Sequence, residues 1–395
     1  MKTLVYNLTV SILLVLLAMG ASYAQSFQID GQVEGVKDGT IVHLLCVEHG
    51  GKDSLARGVF KKGKFKLKGR VSSPRLCEIQ IEQTVQNSDG TNYKSSRNAK
   101  LMLDNVKMSF FANHLDSIPS FMERVSKEKN VIIKGGDVQQ EYQEYRDYMY
   151  AAELTAYNAW RDLYWSPLAE KRNQDTQRKA EEVKNQADED VEARQRMFVK
   201  LHPTYAISAL LASEWIKEPF TYSGDELDSL YHSLSQGRDQ VRIAQIKNEI
   251  VSAKRYTRNS KYRDFGLLTV NKDTSSLKEQ LHPQKYSLID FWASWCGPCR
   301  AAIPDVRRLY NSKGDRLHII AISVDAKEND WRKAMNDEKM EWTQLWIPKE
   351  LMKAVQDGYQ LKSIPFLLLL TPDGNIAYAG HDVHKIESIL EEQTY

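Results

Sequence analysis

With 395 residues the chain is too long for one ordinary hydrophobic core and reads as two or three domains, and its 42% apolar content excludes a chain disordered throughout. The 54 Lys and Arg residues against 52 Asp and Glu leave a formal net charge of +2 with the signs interspersed, so the basic footprint of a nucleic-acid binder is absent. Charge names no partner.

The chain opens with Lys2, an apolar run from Val10 to Met19, and then Gly20, Ala21 and Ser22-Tyr23-Ala24. This pattern predicts a secretory signal peptide over 1–24, cut after Ala24. An uncleaved membrane anchor is the alternative, because Leu4 to Ala24 could nearly span a bilayer, although Asn7, Thr9 and Ser11 dilute the stretch. No cysteine follows the cut, so a lipid-modified N-terminus is not expected. No later segment approaches the ~20 apolar residues a spanning helix needs. The mature chain is expected to be soluble in an oxidising compartment outside the cytoplasm, in the periplasm of a cell envelope.

From 25 to 136 the pattern is β. "FQIDGQVEG", "TIVHLLCVEH", "GVFKKGKFKLKG" and "RLCEIQIE" are short alternating runs broken by Gly, Asp and Ser. Gly63 sits at a hairpin turn, with Phe65 and Leu67 on one face and Lys64, Lys66 and Lys68 on the other. An antiparallel β-sandwich with one wet face is predicted, and "NVIIKGG", 130–136, is its last strand.

Residues 137–261 read as an α-helical connector. Gly nearly disappears, Tyr142, Tyr145 and Met149 fall at helical spacing, and Ser166-Pro167 breaks the run. A charged helix follows over Glu170 to Arg196, then "TYAISALLASEW" after His202-Pro203, then a helix from Asp225 to Leu234. The tyrosine stripe is either a ligand surface or a packing face, and packing against a neighbouring helix or the sandwich is the expected use.

From 262 to 395 the code is α/β. The strand "YSLIDFWA", a helix from Gly297 to about Asn311, the strand "LHIIAISVD", a polar helical piece around Trp331, the helix "ELMKAVQDGYQ" and the run "IPFLLLLTPDGNIAYAG" come in turn. Strands apolar on both faces imply a sheet covered on two sides. Pro372-Asp373-Gly374 marks a hairpin, and the last helix stripes Val383, Ile386 and Leu390 behind Asp382 as N-cap.

Two of the four cysteines lie in "WCGPC" between the first of these strands and its helix. Cys296 falls at the helix N-terminus, where unpaired N–H groups and the dipole favour a thiolate, so it is the attacking thiol. Cys299, one turn deeper on the same side, can close a disulfide with it and is the resolving thiol. Pro298 in the first turn loses no hydrogen bond. A zinc site needs two further ligands, and Cys46, Cys77, His381 and His384 do not offer the spacing, so no metal is expected. An inert buried pair is the remaining bland reading.

These residues carry a resemblance. The segment from about Tyr262 onward resembles the thioredoxin-fold domains of the TlpA/ResA-like thiol-disulfide oxidoreductases of bacterial cell envelopes. "DFWASWCGPC" matches that family's active-site strand and turn, Pro304 its helix kink, and Gly374 and Gly380 its last hairpin. Asp290 matches the buried aspartate that relays the proton of the resolving cysteine. Ile364-Pro365 matches the cis-proline loop facing the disulfide. The stretch to Pro365 is similar to the family's form with an inserted element, here about Ala326 to Pro348, carrying Trp331 and Trp342. Two departures stand out. Ala302 replaces the usual glutamate, leaving Asp290 to act alone, and the usual Gly-x-x-Ala-Pro-x-Phe opening is missing, so an altered sheet edge is expected.

The resemblance implies dithiol–disulfide exchange with disulfide-containing client proteins, with no cofactor beyond the Cys296–Cys299 pair. Catalysis would rest on Cys296, Cys299, Asp290 and Pro365, and client binding on Trp295, Gly297, Pro298 and Ile364. The Gly-Pro dipeptide resembles reducing thioredoxins, near about −270 mV, and implies a reductant supplied by a membrane thiol relay. Cytochrome c maturation, disulfide repair and stress defence all use such domains. The remainder of the chain resembles, through "GKFKLKG" and "HPTYAISALL", secreted envelope proteins of redoxin or AhpC/TSA type with a β domain of uncharacterised function. A thiol peroxidase is the alternative enzyme, although the Pro-x-x-x-Thr-x-x-Cys context is lacking. A binding or adaptor protein with an auxiliary redox pair is the alternative outside enzymes. Cys46 and Cys77 either bridge or stay as two buried thiols.

Overall fold

The computed structural model describes residues 26–392, apart from 49–50, 87–88, 167–171, 218–220, 255–256, 360 and 362. The expected signal peptide and Pro167 lie outside the described residues. The chain forms two compact units, one of residues 1–214 with 233–245, the other of residues 215–232 with 246–395.

The first unit begins with eight strands, β1 (Phe27–Val33), β2 (Ile41–Cys46), β3 (Asp53–Val59), β4 (Lys64–Gly69), β5 (Arg75–Gln86), β6 (Asn92–Leu103), β7 (Lys107–Ala112) and β8 (Val131–Lys134). They make two four-stranded sheets, ordered β4-β1-β7-β8 and β3-β2-β5-β6. Period-two alternation supplies the core between them: Ile29, Leu67 and Phe110 from one sheet meet Leu44, Ile79 and Leu101 from the other. In β4, Phe65 and Leu67 are buried and the three lysines exposed, as the spacing predicts. Gly31 is required opposite Phe65, because a Cβ there would lie 2.0 Å from the Phe65 ring. The sandwich is not wholly antiparallel: β1 and β7 pair in parallel, from Gln28 beside Lys107 to Val33 beside Ala112. The chain reaches β7 only after passing through the other sheet, so no hairpin constrains the direction of that pair.

Helix α1 (Asp137–Trp165) follows, then α2 (Gln174–Leu201), α3 (Ala206–Trp215), α4 (Gly224–Leu234) and α5 (Gln240–Ala253). The tyrosine stripe is a packing face. Tyr142, Tyr145 and Met149 are buried with Phe198 and Leu210 and with Met102 of β6. Two buried side chains on α1 also satisfy backbone groups, Gln139 accepting from Met102 N at 2.8 Å and Glu141 from Ala206 N at 3.1 Å. Arg242 of α5, 5% exposed, pairs with Glu48 at 3.0 Å and with Asp239 at 2.9 Å. Glu48 also accepts from Leu76 N at 2.7 Å.

Cys46 and Cys77 sit directly opposite one another on β2 and β5. Both are buried free thiols. Arg75 donates to Cys46 Sγ at 3.0 Å, and burial pushes the Cys77 thiol far above its ordinary range.

The second unit holds a seven-stranded sheet of β9 (Gly266–Thr269), β10 (Thr274–Ser276), β11 (Tyr286–Trp292), β12 (Leu317–Ser323), β13 (Thr343–Trp346), β14 (Phe366–Leu370) and β15 (Ile376–Gly380). Its order is β10-β9-β13-β12-β11-β14-β15, with β11, β12 and β13 parallel and the flanking pairs antiparallel. Five helices complete it: α6 (Leu277–Gln280), α7 (Gly297–Lys313), α8 (Glu328–Asp337), α9 (Lys349–Tyr359) and α10 (Val383–Glu392). Leu288 and Trp292 of β11 face the core filled by α7, α8 and α10, while Ile289 and Phe291 face the core filled by α6 and α9. The expected insert is α8 with β13, and β13 is a working strand of the sheet; Trp331 and Trp342 are buried in the core beside α7. The altered opening still makes a hairpin, β9 with a three-residue β10 at the sheet edge. At the other edge, Gly374 takes φ 75° in the predicted Pro-Asp-Gly turn. Among the described residues, no helix is long and apolar enough to cross a membrane.

The buried pair at Glu48 yields a stability prediction. Removing the carboxylate in Glu48→Ala leaves Arg75, Arg242 and Leu76 N short of an acceptor inside the protein, and a loss of about 3 kcal/mol is expected. Urea unfolding followed by circular dichroism checks it, and a loss below about 1 kcal/mol contradicts it.

Candidate active site at the cysteine pair

The central strand β11 delivers its chain to the start of α7 through Ala293, Ser294 and Trp295. Cys296 is the N-cap of α7, with extended φ and ψ of −81° and 99°, and its Sγ accepts from Cys299 N at 3.1 Å. Its backbone completes the turn, N–H donating to Ala293 O at 3.1 Å and carbonyl accepting from Arg300 N at 3.1 Å. Pro298 occupies the first helical turn, where no N–H is missed. Cys296 and Cys299 are joined by a disulfide of 2.03 Å and are both 4% exposed. The rim around them is open: Trp295 is 70% exposed, and Gly297 and Pro298 are exposed as well.

The opposite wall is the segment before β14. The Ile364-Pro365 peptide is cis, and Ile364 O lies 3.7 Å from Cys296 Sγ. His381, beyond β15, closes on this segment from the other side, its Nδ1 paired with Pro365 O and its ring edge-on to Phe366 at 6.0 Å.

Asp290 lies on β11 between Leu288 and Trp292, which both face the core containing Cys296, Cys299 and Ile303. Strand alternation therefore turns its carboxyl to the same side of the sheet as the cysteines. Only 6% exposed, Asp290 is pushed up by burial from 3.8 to about 7. A carboxyl with that value can hold or release a proton near neutrality.

Sequence reasoning missed one cluster that fixes this geometry. Asp325, buried just beyond β12, accepts from Ser294 N at 2.9 Å, from Ser294 Oγ at 2.6 Å and from Ser323 Oγ at 2.8 Å. Its own carbonyl accepts from Trp346 Nε1 at 2.7 Å. Asp325 thereby pins the residue two before Cys296. The available signal was a carboxylate closing a strand apolar on both faces, in "LHIIAISVD". Of the residues expected at the site, Cys296 is bonded to Cys299 and faces Ile364, which Pro365 follows across the cis bond; Trp295, Gly297 and Pro298 form the rim, and Asp290 lies on β11. Cys46 and Cys77 belong to the other unit. The backbone N–H of His384 donates to Asp382 Oδ1 at 2.8 Å, as expected of Asp382 capping α10.

Residues 283–376 match the Thioredoxin-like family. Thioredoxin-like protein YneN of Bacillus subtilis is 29% identical over 123 residues, 31% of this chain and 67% of that protein. Thiol-disulfide oxidoreductase ResA of Oceanobacillus iheyensis is 26% identical over 116 residues, 29% of this chain and 59% of that one. The C-terminal unit carries a TlpA/ResA-like thioredoxin fold. Its domain class is that of the thiol-disulfide oxidoreductases. A solution structure of a thiol:disulfide interchange protein from Bacteroides sp. aligns at 27% identity over 35% of this chain and 90% of that one, with a TM-score of 0.33. Residues 27–142, the sandwich and the start of α1, match a domain family of unknown function.

The raised Asp290 carboxyl makes stability depend on pH. Its folded value exceeds the unfolded one, so the unfolded chain ionises first and the fold loses stability as pH rises from about 4 to about 7. The gap between 3.8 and about 7 amounts to up to about 4 kcal/mol. Asp290→Asn should therefore raise Tm much more at pH 8 than at pH 4 in thermal unfolding, and an equal shift at both pH values contradicts the assignment.

Proposed function

We propose that the protein is a dithiol reductant of disulfide-bearing client proteins in the cell envelope, working through Cys296 and Cys299. The observation that carries the exchange chemistry is the position of Cys296 Sγ, which caps α7, accepts from Cys299 N and faces Ile364 O across the cis-proline segment; the reducing direction rests on the Gly-Pro dipeptide between the cysteines. The N–H that now meets the bonded sulfur is placed to stabilise a thiolate once the pair is reduced.

In the reduced state the Cys296 thiolate attacks one sulfur of the client disulfide, forming a mixed disulfide and releasing the other client sulfur as a thiolate. The client backbone aligns along Ile364, with the exposed Trp295, Gly297 and Pro298 as its contact rim. Asp290 takes the Cys299 proton, and the Cys299 thiolate attacks Cys296 Sγ. The second client sulfur departs and is protonated. The client gains two electrons and the Cys296–Cys299 disulfide remains, to be reduced by a dithiol donor such as a membrane thiol relay. No metal or further cofactor enters this sequence. The N-terminal stretch over 1–24 supports export to the envelope, by a cleaved signal peptide or an uncleaved anchor.

The reduction potential of the pair tests the direction of transfer. Equilibration with glutathione and dithiothreitol buffers should give a value below about −220 mV, and one above about −150 mV would identify a disulfide donor instead. In the same preparation Cys299→Ser should accumulate mixed disulfides with an oxidised client, resolved by dithiothreitol, whereas Cys296→Ser should form none.

A further inference from the structure

The outer face of the β3-β2-β5-β6 sheet is covered at one end and open at the other. Along β6, Ala99, Leu101 and Leu103 point into the sandwich core, so Asn98, Lys100 and Met102 point outward. Met102 is sealed beneath α1 by Val138, Tyr142 and Tyr145. Asn98 and Lys100 instead line a cavity of about 900 Å³, walled by α1, α2 and the loop before β8. That volume lies within the ~300–1,000 Å³ of small-molecule sites.

The charges inside are unevenly matched at one point. Glu78, opposite Lys100 on β5, pairs with Lys52 at 3.5 Å, and Glu153 pairs with Arg146 at 3.0 Å. Arg146 is further engaged by Glu128. Lys100 has no carboxylate within ion-pair distance among the described residues. Crowding by protein lowers its pKa from the ordinary lysine value, and the Arg146 charge lowers it further. Lys100 is exposed to the cavity, and Glu153 and Glu78 offset part of this loss without pairing with it, so the cavity leaves room for an anion to make that direct contact.

The wall opposite is aromatic. Tyr150, Tyr157 and Trp160 recur at helical spacing on the cavity face of α1, and the Arg124 guanidinium lies over Tyr157 and Trp160 at 5.7 and 6.0 Å. Tyr150 and Trp160 are only half-buried. Lys129 Nζ also lies over the Tyr150 ring at 4.2 Å, so a flat apolar body would take the ring surface that these cations leave exposed.

We propose that this cavity is a binding site for an organic anion with a flat ring body, its carboxylate or sulfonate on Lys100 and its ring against Tyr150 and Trp160. The site stands apart from the cysteine chemistry and does not depend on it.

The test titrates the full chain with 8-anilinonaphthalene-1-sulfonate, an aromatic sulfonate, and with the uncharged N-phenyl-1-naphthylamine. One saturable site for the sulfonate is expected. Lys100→Met, which keeps the length of the apolar stem, should weaken it about ten- to hundredfold, the worth of one charge-assisted hydrogen bond. Lys100→Arg should restore it, and the uncharged probe should bind all three chains alike. Absence of a saturable site in the unsubstituted chain, undiminished sulfonate binding in Lys100→Met, or an equal loss of the uncharged probe each overturns the proposal.

Discussion

The arrangement of the cysteine pair depends on one hydrogen bond, from Cys299 N to Cys296 Sγ at 3.1 Å. A helix start needs acceptors for its first N–H groups, and serine, threonine, aspartate or asparagine usually supplies one. Here a sulfur does. The same atom is thus asked to end a strand-to-helix turn and to carry the chemistry, and the two demands agree, because a thiolate is a better acceptor than a thiol or a disulfide sulfur. Once the pair is reduced, the cap favours the Cys296 thiolate over its thiol, and the thiolate is the form that attacks a disulfide. Breaking the helix start would remove both the turn and the reason for its reactivity.

That cap is held in place from outside its own helix. β11 is the strand from which the turn departs, and its neighbours on both sides carry a wall of the site: β12 leads to Asp325, which grips Ser294, while β14 follows the Ile364-Pro365 segment. Asp325 accepts from one backbone N–H and two hydroxyls, so its carboxyl oxygens are partnered despite burial. Asp290 is the contrasting case. Two buried carboxylates sit within one strand-end region, and environment alone separates a group that fixes geometry from one whose proton is held near neutrality.

Much of this was legible in the chain. Strands apolar on both faces announced a covered sheet, and Cys296, Cys299 and the Pro-Asp-Gly turn fell where spacing placed them. The lysine-alternating β4 gave its buried face correctly. What alternation cannot convey is partnership: it assigns faces, not neighbours, so the parallel pairing of β1 with β7 was invisible. The Asp325 cluster was hidden for a related reason, since Ser294 and Asp325 are 31 residues apart and a serine-aspartate contact leaves no periodic trace. The segment read as an insert proved to contain a strand of the sheet, because a four-residue strand such as β13 is too short to show a period.

Cys46 and Cys77 show how much position decides what a thiol does. They sit directly opposite one another on β2 and β5, yet both are buried and Cys77 lies in the sandwich core, where burial drives it away from ionisation. Exchange chemistry needs a thiolate, and a sheet interior offers neither a helix N-terminus nor an open rim. Cys296 has both. Two pairs of cysteines in one chain thus have opposite surroundings: one pair is buried within a sheet, and the other stands at a helix start beside an exposed rim, the setting that favours a thiolate.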